Sequence, residues 1–201
     1  MGQERPKMAA HCLIVLVLAA TITTSIGQEA ASTGTPASPA AREFLNQSCK
    51  KTASPEICFD DLLPYAESLS GSHTKVAIAA TTILMAKLDS LLAEMHGVNM
   101  KSPGQYKLDE CIKAIGELTT GKRERLAKFK ALEAIEDTKH TEKDTAEVGQ
   151  WIMDVDTACL AKCGMHVVKI PKEVPSYKGV RQFVEISQTL VTGLTGAPKE
   201  V

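Results

Sequence analysis

The run Cys49-Lys-Lys-Thr52-Ala-Ser54-Pro55-Glu56-Ile-Cys58 constrains the fold more than any other stretch of this chain. Its second half reads as a helix start. The Ser54 hydroxyl can accept from an orphan amide, Pro55 suits the first helical position, and Glu56 sets negative charge at the positive end of the helix dipole. A disulfide from Cys49 to Cys58 would make the run a stapled corner between two helices. A zinc knuckle is the rival, but eight intervening residues is not a zinc spacing and no histidine lies nearby in sequence.

The N-terminus favours the disulfide. Arg5 and Lys7 precede an apolar run from Cys12 to Ala20, and the small residues Ser25 and Gly27 offer cleavage before Gln28. Residues 1–27 therefore read as a signal peptide, too short in its apolar part to span a bilayer. Pro6 rules out the serine or threonine that myristoylation of Gly2 would need. Residues 28–40, poor in large apolar groups and rich in Ser, Thr, Pro and Gly, are expected to be a disordered leader. The mature chain is expected to be secreted, soluble and extracellular, with Cys49, Cys58, Cys111, Cys159 and Cys163 in an oxidising compartment. Five cysteines imply two disulfides and one free thiol.

Charge and composition narrow the partners. With 23 basic and 24 acidic residues, nothing advertises nucleic acid or an anionic membrane. Aromatic residues make up only 4% of the chain, which favours helices over a β-sandwich.

Helical patterns fill residues 41–195, the expected folded domain. A short helix is expected from about Ala40 to Lys51, and Asn46-Gln47-Ser48 within it is a glycosylation sequon beside Cys49. Pro55 to about Ser70 reads as helix with Pro64 interrupting it. Four longer amphipathic patterns follow. His73 to His96 is expected to end at Gly97, and a second helix to open at Pro103 with Leu108, Cys111, Ile112 and Ile115 as its stripe. Val148, Trp151, Ile152, Val155 and Cys159 mark the third; Val180, Phe183, Val184, Ser187 and Val191 mark the fourth, from about Ser176 to Leu194. The fold class expected is all-α, an antiparallel four-helix bundle preceded by an N-terminal helical hairpin. Cys111 and Cys159 both fall on apolar stripes and can meet, while Cys163, one turn further on, competes for Cys111.

Between the second and third long helices, residues 121–146 carry a basic half followed by an acidic half, with Leu126, Phe129, Leu132 and Ile135 at a period near three. An extended, solvated helical arm with one packed side is expected there.

Catalytic chemistry finds little support. The chain has no Gly-x-Ser-x-Gly elbow, phosphate-cradling glycine loop or His-Glu-x-x-His pair. Cys159, Cys163 and His166 lack a fourth ligand for zinc, and Asp60-Asp61 and Asp154 with Asp156 point in different directions on helices. Neither a cofactor nor a metal is expected.

Three motifs, in order, resemble the plant invertase and pectin methylesterase inhibitors. Cys49-x-x-Thr52-x-x-Pro55-x-x-Cys58-x-x-x-Leu62 matches that family's opening hairpin in spacing, with Ser54 where an aromatic is common. Leu108-x-x-Cys111 is similar to its Leu-x-Asp-Cys, with Glu110 for the acid and Ile115 where a tyrosine is frequent. Asp156-Thr157-Ala158-Cys159 resembles its Asp-Thr-Cys with one residue inserted. The resemblance implies the hairpin-plus-bundle fold, a Cys49–Cys58 bond and a Cys111–Cys159 bond, leaving Cys163 as the free thiol. It also implies an enzyme inhibitor rather than an enzyme, a monomer that forms a one-to-one complex with a cell-wall pectin methylesterase or an acid invertase in the apoplast. Invertase inhibitors of the family carry Pro-Lys-Phe between the helices bearing the third and fourth cysteines, whereas the nearest string here is Ala127-Lys128-Phe129 in a longer connection; this tilts the expected target towards pectin methylesterase. Candidate contact residues are Lys107, Lys113, Glu117, Lys122, Arg123, Lys128 and Phe129. The alternative from another class is a non-inhibitory secreted helical binding protein, although the Cys-Cys pair and eight cysteines of lipid-transfer proteins are missing.

Overall fold

The computed structural model describes residues 36–131, 138–167, 172 and 174–196. The expected signal peptide and most of the leader lie outside them. All regular structure among the described residues is helical.

Helix α1 (Pro39–Cys49) is started by Ser38, whose Oγ accepts from the Ala41 amide at 3.2 Å, with Pro39 in the first turn. Ordered helix thus reaches into residues 39–40, which were expected to belong to the leader, because Ser38-Pro39 is itself a capping pair. At the far end the chain turns tightly. Thr52 is buried and donates to the Cys49 carbonyl from both its amide, 2.9 Å, and its hydroxyl, 2.8 Å. The Cys49–Cys58 disulfide closes this turn with Cα atoms 5.6 Å apart. Helix α2 (Pro55–Leu62) starts where Pro55 and Glu56 indicated, but the Ser54 side chain makes no capping bond; only its carbonyl is engaged, accepting from Cys58 N at 3.0 Å. Pro64 breaks the helix into a 3₁₀ turn (Leu63–Tyr65) and helix α3 (Ala66–Leu69). Gly71, at φ +79°, then turns the chain into α4 (His73–Lys101), capped by Ser72 Oγ on Lys75 N at 3.2 Å.

Helix α4 runs past Gly97, where its end was expected. Val98 is buried, so packing carries the helix another turn. Its most apolar 18 residues have a mean hydropathy of 1.6, and half of that window is buried by the rest of the protein, the composition of a central core helix. Pro103 does not open the next helix. It sits in a connection that turns at Gly104 (φ +70°), and α5 (Asp109–Thr119) begins six residues later with Asp109 and Glu110 in its first turn. Then come α6 (Lys122–Ala131), α7 (Thr138–Ala158), a π-helical turn (Cys159–Cys163), α8 (Gly164–Val167) and α9 (Ser176–Gly196).

Helix α4 packs along α9 and against α5, and α7 packs against both α9 and α5. Leu84, Leu88 and Leu91 of α4, Ile115 of α5, Trp151 and Val155 of α7 and Phe183 of α9 are fully or almost fully buried. Burying each such side chain contributes about 1.5–3 kcal/mol. Lys87 ties three elements together: its ammonium pairs with Asp61 of α2 at 3.0 Å and lies 4.6 Å from the Phe183 ring centroid. Helix α6 is not an extended arm. It lies against α4 and α7, and Phe129 is completely buried beneath it. The apolar residues Leu132 and Ile135 lie outside the described residues.

The second disulfide joins Cys111 to Cys163, with Cα atoms 4.9 Å apart, and Cys159 is the free thiol. This corrects the pairing of Cys111 with Cys159. The π-turn supplies the reason. An α-helix advances about 100° per residue, so a regular continuation would swing Cys163 about 80° away from Val155 and off the buried stripe. One extra residue in the turn returns Cys163 to the phase of its predecessor, about 20° from Val155. Cys163 then falls in line with Val148, Trp151 and Val155, all buried, and reaches α5.

Candidate functional site

A rigid face is built where α5 meets α7. Trp151 lies under it and donates from Nε1 to the Leu118 carbonyl at 3.1 Å, fixing the two helices at one end. The Cys111–Cys163 bond fixes them at the other, with Met95 Sδ 3.0 Å from Cys111 Sγ beneath. Above these two anchors runs a shallow groove of about 350 Å³. It is lined by the apolar side chains of Ala114, Leu118, Ala158 and Ala161 together with Glu117, Asp154, Thr157 and Lys162. An apolar lining interspersed with charges of both signs suits the docking of a protein surface.

The expected contact residues divide. Lys113 and Glu117 are exposed, one turn apart on α5, and Glu117 lines the groove. Lys107 is exposed in the connection before α5, in a left-handed conformation at φ +52°. Lys128 is exposed and pairs with Glu124 at 3.3 Å on the same helix. Phe129 is a core residue and is withdrawn as a contact, because α6 folds back and buries it. The side chains of Lys122 and Arg123 lie outside the described residues. Asp154, Thr157 and Lys162, which complete the groove from the α7 side, were not anticipated; their only sequence signal is position, since they flank the apolar stripe without belonging to it.

Two of the four carboxylates considered for acid–base work have structural partners. Asp61 is held by Lys87, and Asp154 accepts from Gln150 Nε2 at 2.9 Å. Cys163 is sealed in a disulfide and so withdrawn from any cluster with Cys159 and His166.

Near the end of α7 a different environment surrounds the free thiol. Burial pushes the Cys159 thiol up to about 12, with Asp156 adding to the rise and Arg181 opposing it. Its carbonyl accepts from the Tyr177 hydroxyl at 2.9 Å. Burial, and then the neighbouring Cys159, raise Tyr177 above the usual phenol range. Neither group is activated at neutral pH.

The N-terminal hairpin is joined to α4 through His73. The Ser48 hydroxyl donates to the Phe44 carbonyl at 3.0 Å and lies 3.3 Å from His73 Nδ1, and the His73 ring sits 5.0 Å from that of Phe44. At the start of α1 the Ser38 amide donates to Glu67, which holds that exposed carboxyl below its usual range and ties α1 to α3.

Comparison with family models, curated proteins and solved structures found no match to this chain.

Proposed function

We propose that this chain is a secreted inhibitor of a plant cell-wall pectin methylesterase, acting as a monomer through the α5–α7 face and occluding the enzyme's substrate cleft. The observation that carries the reading is the N-terminal hairpin: Cys49 and Cys58 are bonded across a turn locked by Thr52, at the spacing that resembles the inhibitor family. We further propose that α4, α5, α7 and α9 constitute the family's antiparallel four-helix bundle. The packing of α4 and α7 on both α5 and α9 supports it. The Cys111–Cys163 pairing departs from the family's third-to-fourth cysteine bond by using the fifth, yet it joins the same two helices.

Pectin methylesterase is preferred to acid invertase because the Lys128-Phe129 string lacks the preceding proline of the invertase inhibitors and Phe129 is buried, out of a partner's reach. A surface held by a disulfide and a Trp hydrogen bond loses little conformational freedom on docking, which favours tight occlusion of a cleft. Titrating the purified protein into pectin methylesterase at acidic, apoplast-like pH is expected to abolish activity at near-equimolar ratio. Unchanged activity at several-fold molar excess refutes the proposal, and the parallel titration of acid invertase separates the two targets.

A further inference from the structure

The Asn46-Gln47-Ser48 sequon sits in the last turns of α1, and its two functional side chains are parted by the fold. Residues two apart on a helix point about 200° away from each other. Asn46 is half-exposed and opens onto a cleft of about 540 Å³ lined by Pro39, Arg42, Glu43 and Phe59. Ser48 points inward: it is 4% exposed, and its hydroxyl is engaged by the Phe44 carbonyl beside His73. A transferase that must grip the asparagine amide and the serine hydroxyl together finds no acceptor in this helix.

We infer that Asn46 is an N-glycan acceptor that can be modified only before α1 folds, and that closure of the Cys49–Cys58 bond competes with the transfer. In the transfer the Asn46 Nδ2–C1 bond forms as the bond from C1 to the diphosphate of a lipid-linked oligosaccharide breaks. The lipid diphosphate departs, and the amide proton passes to the transferase's base. The cleft at Asn46 leaves space for the sugar, so the modified chain reaches the same fold.

The competition follows from the spacing. Cys58 emerges only 12 residues after Asn46, about 0.6–2.4 s later at ordinary synthesis rates. Bringing the ends of so short a loop together takes well under a microsecond, so oxidation is limited only by the oxidant. Once formed, the bond fixes the C-terminal end of α1 one residue after Ser48.

The proposal rests on export through an oxidising compartment, and is independent of what the mature protein inhibits. The test is translation of the full chain with rough microsomes, where protease protection reports import and an endoglycosidase-sensitive mobility shift reports the glycan. Imported wild type is expected to be modified on a minority of chains, and N46Q on none. The C49A/C58A double variant is expected to raise the modified fraction about twofold or more. Folded, unmodified protein offered to the same transferase afterwards should stay unmodified. Because the variants are read during synthesis, their final folding does not affect the outcome. Imported chains without any shift, equal occupancy in wild type and C49A/C58A, or efficient modification of the folded protein would each overturn the inference. Chains left unprotected from protease overturn it at the export step, while leaving inhibition by the purified protein to its own assay.

Discussion

Replacing Cys163 by alanine should cost this protein far more than replacing Cys159, although the two residues are four apart and equally buried. The Cys111–Cys163 bond spans 52 residues of sequence, and the chain-entropy treatment of such a loop gives about 4 kcal/mol of stabilisation at 25 °C. The nine-residue span between Cys49 and Cys58 gives about 2.6 kcal/mol by the same treatment. Cysteine 159 closes no loop, so C159A removes one buried sulfur and leaves a small void, a loss of about 1 kcal/mol. Guanidinium unfolding of the oxidised proteins, followed by Trp151 fluorescence, measures the difference. C163A should unfold at a clearly lower midpoint than wild type, and C159A close to it. Non-reducing peptide mapping must accompany the measurement, because Cys111 and Cys159 in C163A are close enough in sequence register to pair and return part of the loss. The reasoning is refuted if wild type yields a Cys111–Cys159 peptide, or if C159A is the more damaging substitution.

Other consequences are independent of that pairing. Trp151→Phe keeps the aromatic bulk but strands the Leu118 carbonyl, and is expected to lower unfolding free energy by about 1–2 kcal/mol in thermal melts followed by circular dichroism. Ser176→Ala removes the hydroxyl that donates to Glu94 at 2.5 Å and leaves the amide bond at 3.0 Å, so the start of α9 should loosen by about 1 kcal/mol, read as faster amide exchange over its first turn. The Cys159 thiol is held neutral well above its ordinary value. In the unfolded chain it ionises near pH 9, in the folded protein near about 12, so the unfolded state binds fewer protons between them. Stability from this group is therefore complete below pH 9 and falls as pH rises towards 12. Correspondingly, a maleimide should leave Cys159 unlabelled in the native protein at pH 8 and label it on unfolding; rapid native labelling contradicts the burial.

The local elements were legible because their causes are local. Pro55 and Glu56 mark a helix start from adjacent residues alone, and α2 begins there; the caps at Ser38 and Ser72 are equally local but were not anticipated. The apolar stripes of α7 and α9 follow from periodicity alone: Val148, Trp151, Ile152, Val155, Val180, Phe183, Val184 and Val191 are buried, while Leu190 and Leu194 on the same stripe are only partly so. Local signals also misled where packing outweighed them. Gly97 would end an isolated helix, but Val98 gains a buried site by continuing it, and the turn is made at Gly104 instead.

By itself the sequence determined an all-α class for the folded domain, a Cys49–Cys58 staple and a candidate set of three further cysteines for one more bond. Only the tertiary structure decided which of them pair. Helical periodicity assumes a constant angle per residue, and the π-turn at Cys159–Cys163 breaks that assumption by one residue, bringing Cys163 rather than Cys159 to α5. The same limit applies to α6. Its pattern reads as an extended, solvated arm with one packed side that includes Phe129, but that α6 folds back on α4 and α7 and covers Phe129 completely is decided by the helices it lands on. The sequon shows the converse: its three residues are plain in the sequence, but that helix α1 turns Asn46 outward and Ser48 inward is a property of the fold.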